Sequence, residues 1–251
     1  MGGGGFAFGP AYGNFDDYIL RLTGQTRPKV CFVPTASGDS DGLTVRFYQA
    51  FSPDRAAASH LALFTCPIAD LRSFLLDQHV IYVGGGNTAN MLAVWRLHGV
   101  DAILREAWEA GIVLCGWSAG SICWFEGGTT DSFGPELAPL NDGLGLLSGS
   151  HSPHYDGEAQ RRPAYHRFVR EGRLSPGIAA DNGVGLHYIG TELATVVTSS
   201  PERRAYRVER RDGEAHETPL DGVLLGPDGQ LVSGDIGLQG GAGEAAGQPS
   251  G

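Results

Sequence analysis

The chain has 251 residues, 39 of them glycine, about twice the roughly 7% of an average protein, and only 18% are charged. Eighteen basic residues against 28 acidic ones give a net charge of −10, which argues against a nucleic-acid binder that tracks phosphates. A hydrophobic content of 41% with no G-X-Y period excludes collagen and wholesale disorder, and the length suits one domain or at most two.

Met1 leads directly into Gly2–Phe6 (GGGGF), and Lys29–Pro34 (KVCFVP) is the first β-branched, apolar run. Further strand-like runs follow at His60–Phe64, His79–Val83 and Ile112–Cys115. Between them, Thr88–Leu97 and Asp101–Ala110 place apolar side chains at helical spacing, with Thr88 and Asp101 as N-cap candidates. Strand and helix in this alternation predict a parallel sheet with helices on both faces, and ligands beyond the carboxyl ends of its strands.

Residues Glu126–Asn141 are rich in Gly, Pro and Asp and read as a long surface loop, followed by a strand-like Leu144–Leu147 and a helix over Pro163–Arg170. Gly177–Ala180, Val184–Ile189, Leu193–Thr198 and Tyr206–Val208 read as strands, antiparallel toward the end. The expected domain is 1–236, with a disordered Gly-rich tail over 237–251. Cys31, Cys66, Cys115 and Cys123 show neither C-x-x-C nor zinc-ligand spacing and read as small buried hydrophobes in a reducing cytoplasm. The expectation is a cytoplasmic protein without membrane span, metal or organic cofactor.

Two glycine-rich strand ends carry the chemistry. After Ile112–Cys115 comes Gly116-Trp117-Ser118-Ala119-Gly120, a G-x-S-x-G between a strand and a short helix. A nucleophile on such a turn needs small neighbours because the backbone is strained and chain segments pass close to it. The bland alternative is a turn whose serine merely caps the helix. One strand earlier, Val83 opens into Gly84-Gly85-Gly86-Asn87-Thr88. If the two strands are neighbours, the amides of Gly85 or Gly86 and of Ala119 form an oxyanion hole, each donor worth about 3–4 kcal/mol. Asn87 is a substrate-binding candidate beside them. A phosphate loop is the competing reading, but the P-loop lysine and the G-x-G-x-x-G spacing are missing.

A serine nucleophile needs a base, and the base an orienting acceptor. His60, His79 and His98 precede the elbow in strand or helix patterns, His166 falls in a helix, and His187 and His216 fall in late strands. His154, in Ser150-His151-Ser152-Pro153-His154-Tyr155, is the preferred base, with His151 its competitor. Asp181, closing Ile178–Ala180, is the candidate acid; Asp156 lies too near His154 in sequence to reach its ring squarely.

GGGN, GWSAG, PHY and a later acidic strand end, in that order, together with GGGGF and Val33–Ser37, resemble the peptidase E (aspartyl dipeptidase) family of serine peptidases, to which cyanophycinase is related. The resemblance spans most of the chain up to Asp181. It implies a three-layer α/β/α sandwich with a mostly parallel central sheet, similar to class I glutamine amidotransferases, and a Ser118-His154-Asp181 triad acting on short peptides. Family members often carry Glu at the third place. In the family a hydrophobic strand precedes the first glycine cluster, so either the start is placed too late or the sheet edge is reorganised. The family's arginine for the substrate aspartate falls here on Gln160, with Arg161 beside it. A neutral amide cannot clamp a carboxylate bidentately, so a broader exopeptidase is expected unless Arg161 or Arg162 takes that role. A homodimer stays open as the assembly. Two rivals are an α/β-hydrolase esterase, whose order Ser, acid, His requires His187 or His216, and a catalytically silent amidotransferase-like binding module.

Overall fold

Lys29–Val33 (β1) turns Val30 and Phe32 to one face and Cys31 and Val33 to the other, and all four are fully buried. A strand buried on both faces reads as a continuous apolar run and needs helices on both sides. In this computed structural model, which describes residues 1–232, β1 is central to a parallel sheet with Ala57–His60 (β2), Val80–Val83 (β3) and Val113–Gly116 (β4), in the order β2-β1-β3-β4. On one face, Val30, Phe32, Val80 and Tyr82 pack with Ile19 of Gly13–Leu22 (α1) and Phe47 of Asp41–Ala50 (α2). On the other, Cys31, Val33, Ile81 and Val83 pack with Leu75 of Leu71–Leu76 (α3), Trp95 of Thr88–His98 (α4) and Leu104 of Val100–Glu109 (α5). The chain is therefore a three-layer α/β/α structure with a parallel central sheet.

After Ala119–Ile122 (α6), a second sheet runs in the order β12-β11-β8-β7-β5-β6. Its strands are Phe125–Thr130 (β5), Ala138–Leu140 (β6), Leu147–Ser152 (β7), Gly177–Ala180 (β8), Ala205–Arg211 (β11) and Glu214–Leu220 (β12). Strands β5, β7 and β8 are parallel, and β6, β11 and β12 are antiparallel to their neighbours. Arg161–Arg170 (α7) covers one face through Ala164, Tyr165, Phe168 and Val169. Val184–Ile189 (β9) and Glu192–Thr198 (β10) pair antiparallel, with Val223–Leu224 (β13) beside β10.

Three expectations are corrected. Strand β2 lies at 57–60, ahead of the expected 60–64, because its half-buried Ala-Ala-Ser-His lacks the β-branched run that marks an interior strand. The expected loop over 126–141 contains β5 and β6. Gly127 and Gly128 make that region look like a loop, but a Cβ on either would collide with the carbonyl of Leu140 or His151, so close strand packing requires them. Cys66 is exposed rather than buried, while Cys31 and Cys123 are buried and Cys115 is partly so. The expected tail at 237–251 lies outside the described residues. Among the described residues, no helix is long and apolar enough to cross a membrane.

Candidate active site

Strands β3 and β4 are neighbours with Val83 opposite Gly116, so the two glycine-rich strand ends lie side by side. Ser118 stands between β4 and α6 at φ 54° and ψ −117°, a strained conformation for a non-glycine residue. The flanking glycines are sterically required: a Cβ on Gly116 or Gly120 would collide with the Val83 carbonyl. Gly85 packs against the same turn, where an added Cβ would come within 3.1 Å of the Ser118 Cβ. Gly84, Asn87, Trp117, Ser118 and Gly120 all donate to main-chain carbonyls. Among the described residues, the amides of Gly85, Gly86 and Ala119 have no such partner, leaving them available to an incoming oxygen.

The N-terminal segment holds this site together. The Ser118 amide donates to the Met1 carbonyl at 3.3 Å, and the His154 amide donates to the Gly2 carbonyl at 3.2 Å. The Gly183 amide donates to Gly3 at 2.6 Å, and the Gly2 amide to Val184 at 3.0 Å. Phe6 anchors the segment, with its ring 5.2–5.9 Å from those of Phe32, Phe47, Phe51, Tyr82 and Trp117. Buried Asp16 accepts the Tyr82 hydroxyl at 3.0 Å just below Gly5, where any Cβ would strike that hydroxyl. Burial raises the Asp16 pKa to about 7.

His154 follows β7 at φ 54°, its Nδ1 donates to Asn182 Oδ1 at 2.7 Å, and Phe8 stacks over its ring at 6.0 Å. An amide oxygen only accepts, so Nδ1 carries the proton and Nε2 keeps its lone pair. Burial holds the pKa of His154 below the ordinary histidine value, opposed by the Asn182 bond. The hydrogen-bond partner of His154 is thus Asn182, next in sequence to the expected Asp181. Asp181 Oδ2 accepts the Arg204 amide at 3.0 Å, which joins β8 to β11, and its neighbour Asn182 supplies the acceptor for His154. The two residues part because the chain turns after β8: Asn182 and Gly183 form a turn that the Val184 amide closes onto the Asp181 carbonyl at 3.2 Å. Asp156 fixes Asn182 by accepting its amide at 2.8 Å and pairing with Arg203.

The remaining candidates divide. His151 is fully buried, stacks on Phe125 at 5.0 Å and donates Nδ1 to Ile178 at 2.8 Å; burial drives its pKa down to about 3, making it a neutral core group. Asn87 caps α4, accepting the Asn90 amide at 2.8 Å while its Nδ2 donates to the Ser132 carbonyl at 3.0 Å, so both ends of its amide have partners within the fold. Gln160 is exposed at the N-cap of α7, without a side-chain capping bond. Arg161 is the buried one, only 2% exposed, paired with Glu158 at 2.8 Å and donating to Thr129 O at 2.6 Å. His187 is bonded to Tyr18, and His216 sits on the outer strand β12 opposite Glu209, so neither serves an esterase arrangement. Asn182, Phe8 and Asp16 were missed as site residues. Only Asn182 left a sequence signal, an amide two positions past the strand end.

The model of peptidase family S51 matches residues 1–196, which contain the elbow, His154 and Asn182. The chain belongs to peptidase family S51. It is 50% identical over 226 residues to the uncharacterized peptidase YgaJ of Bacillus subtilis strain 168, covering 90% of this chain and 97% of that protein. It is 33% identical over 193 residues to a peptidase E of Shewanella denitrificans, covering 72% and 79%. Among solved structures, a peptidase from an acI-B1 Actinobacterium superposes with a TM-score of 0.64 at 16% identity, covering 88% of this chain and 92% of that one, a likeness of fold. The protein is thus a peptidase of the S51 family, and it shares its fold with that solved peptidase.

Proposed function

We propose that this S51 peptidase is a serine exopeptidase for short peptides, with Ser118 as nucleophile, His154 as base and Asn182 as the group that orients it. The observation that carries the reading is the His154 Nδ1–Asn182 Oδ1 bond beside a serine held in a strained elbow. That bond fixes the tautomer that can take the Ser118 proton, as the asparagine of a Cys-His-Asn site does. Attack of Ser118 Oγ on the scissile carbonyl gives a tetrahedral intermediate whose oxyanion meets the amides of Ala119 and of Gly85 or Gly86. His154 passes the proton to the leaving amine, and water then hydrolyses the acyl-enzyme with His154 again as base.

The specificity reading is broader than N-terminal aspartate. Gln160 is neutral, and the buried Arg161 already has Glu158 as counter-ion, which reduces the attraction left for a substrate carboxylate. Arg161 is close enough that its charge helps lower the His154 pKa, so it borders the site without offering a free cation. The test is hydrolysis of short peptides with Asp, Ala or Leu at the N-terminus by wild type and Ser118→Ala. Turnover of all three by wild type and of none by the variant supports the reading. Cleavage of Asp peptides alone refutes the breadth, and an active variant refutes the nucleophile.

A further inference from the structure

Phe6 and Phe8 belong to one 3-10 turn, Phe6–Phe8, yet they meet different surroundings: Phe6 is 8% exposed among the other aromatic rings, whereas Phe8 is 37% exposed. The turn is bounded by Gly5 at φ 68° and Gly9 at φ 95°. A Cβ added at Gly9 would meet no atom within 4 Å, so the positive φ, and not crowding, asks for glycine there. This turn carries the Phe8 ring onto the imidazole of His154, with centroids 6.0 Å apart and planes 30° apart. Tyr12 meets Phe8 edge-on at 6.1 Å, and its own ring lies so near Gly183 that a Cβ there would come within 2.9 Å of it. The two rings therefore border His154 on one side and the residue after Asn182 on the other. An isolated exposed phenylalanine needs no explanation on a protein surface. One that rests on the base of the site does.

Where these rings lie decides which half of a peptide they can meet. His154 hands its proton to the leaving amine, so the nitrogen of the residue after the scissile bond comes within hydrogen-bond reach of Nε2. The side chain of that residue begins one carbon away from the nitrogen, beside the imidazole and hence beside Phe8. The acyl half is held instead at Ser118 and the amides of Ala119 and of Gly85 or Gly86. Asp156 and Arg203, which hold the backbone of Asn182, are paired with each other. With those charges balanced, this side of the site attracts an apolar group more than an ion.

We propose that Phe8, backed by Tyr12, is the platform that selects the residue following the scissile bond, and that the enzyme favours short peptides with an aromatic or large apolar side chain at that position. The assignment rests on the roles given above to Ser118 and His154. It concerns the leaving half of the peptide, whichever residue stands first. An aromatic side chain there gains a ring pair with Phe8 in addition to its apolar burial, while an alanine leaves the face of Phe8 in water.

The test uses two isomeric dipeptides, Ala-Phe and Phe-Ala. Both use the same catalytic groups, so any disturbance of His154 by a change at Phe8 cancels in the ratio of their kcat/KM values. Wild type favours Ala-Phe by about 10-fold, Phe8→Ala removes most of that preference through KM, and Phe8→Tyr, which keeps the ring, retains it. A ratio that Phe8→Ala leaves unchanged or raises overturns the proposal. Calorimetric binding of the same dipeptides to Ser118→Ala, with and without Phe8→Ala, supplies a readout without turnover: Ala-Phe binds about 10-fold more tightly, and loss of the Phe8 ring abolishes the difference. Equal or undetectable binding of the two isomers also overturns it. Wild type that hydrolyses neither dipeptide while Ser118→Ala still binds Ala-Phe through Phe8 refutes the peptidase chemistry at Ser118 and leaves the platform standing.

Discussion

Ser118 and His154 hang from consecutive residues of one segment: the amide of the first donates to the carbonyl of Met1, and that of the second to the carbonyl of Gly2. Two side chains 36 positions apart in sequence are thus set by a single dipeptide between their strands. With strands spaced about 4.8 Å apart, the two backbones flank the dipeptide at roughly 10 Å, a separation that a serine and a histidine side chain can share between them.

Substitution at position 182 separates an orienting role from a structural one. With neutral His154 as the proposed base, its lowered pKa puts the acid limb of kcat/KM below 6.5. Asn182→Asp adds a negative charge beside the ring, favours the imidazolium and moves that limb upward by about one pH unit or more. Asn182→Ala lowers kcat/KM by about 10–100-fold, as expected for loss of a hydrogen bond to a group that becomes charged. Asp181→Asn leaves the limb in place. The pH–rate profiles of the three variants decide it; an unmoved limb in Asn182→Asp would contradict the assignment.

Ser118→Ala reduces peptide turnover by at least about 1,000-fold with an unchanged fold, measured by kcat/KM and circular dichroism. Ser118→Gly is equally inactive but more stable by about 1–3 kcal/mol in urea unfolding, because glycine relieves the positive φ. A glycine variant no more stable than the alanine one would show that the elbow stores no strain.

Gly3 lies against the His154–Asn182 pair. A Cβ there would strike Asn182 Oδ1 and come within 3.1 Å of the His154 ring. Gly3→Ala therefore lowers kcat by about 10–100-fold through a displaced ring. Gly13→Ala meets open space at a helical φ of −64° and stabilises α1 by about 0.5–1 kcal/mol without touching activity. Steady-state kinetics and thermal melts on both variants check the contrast.

Asp16 makes stability depend on pH. Its folded pKa of about 7 lies above the ordinary 3.8, so between these values the folded chain holds a proton that the unfolded chain has released. The stability that Asp16 contributes is fully present below about pH 4, declines as pH rises and is lost above about 7. Asp16→Asn keeps an oxygen for the Tyr82 hydroxyl without the charge. At pH 8 it is more stable than wild type by up to about 4 kcal/mol, at roughly 1.4 kcal/mol for each pH unit. Denaturant melts from pH 4 to 8 measure this, and a parallel decline in both proteins would assign the loss to other groups.

By itself the sequence determined the local features. The alternation of strand and helix, the two-sided apolar strands, the G-x-S-x-G elbow and the neighbouring glycine run all rest on periods and turn chemistry within a few residues of one another. The place of Ser118 after a strand end was legible, whereas the strand before His154 runs over Leu147–Ser152 rather than the expected 144–147. Tertiary structure decided which long-range partners met. It gave His154 the amide of Asn182 and engaged Asp181 with Arg204, because the chain turns at Asn182 and Gly183 directly after β8 and sends the two side chains to different neighbours. It buried His151 within β7 and set His154 beyond that strand's end, at a positive φ. It also turned the N-terminal glycines into the tie between the two sheets, since only residues without a Cβ fit where Gly2 and Gly3 pass the carbonyl of Asp181 and the side chain of Asn182.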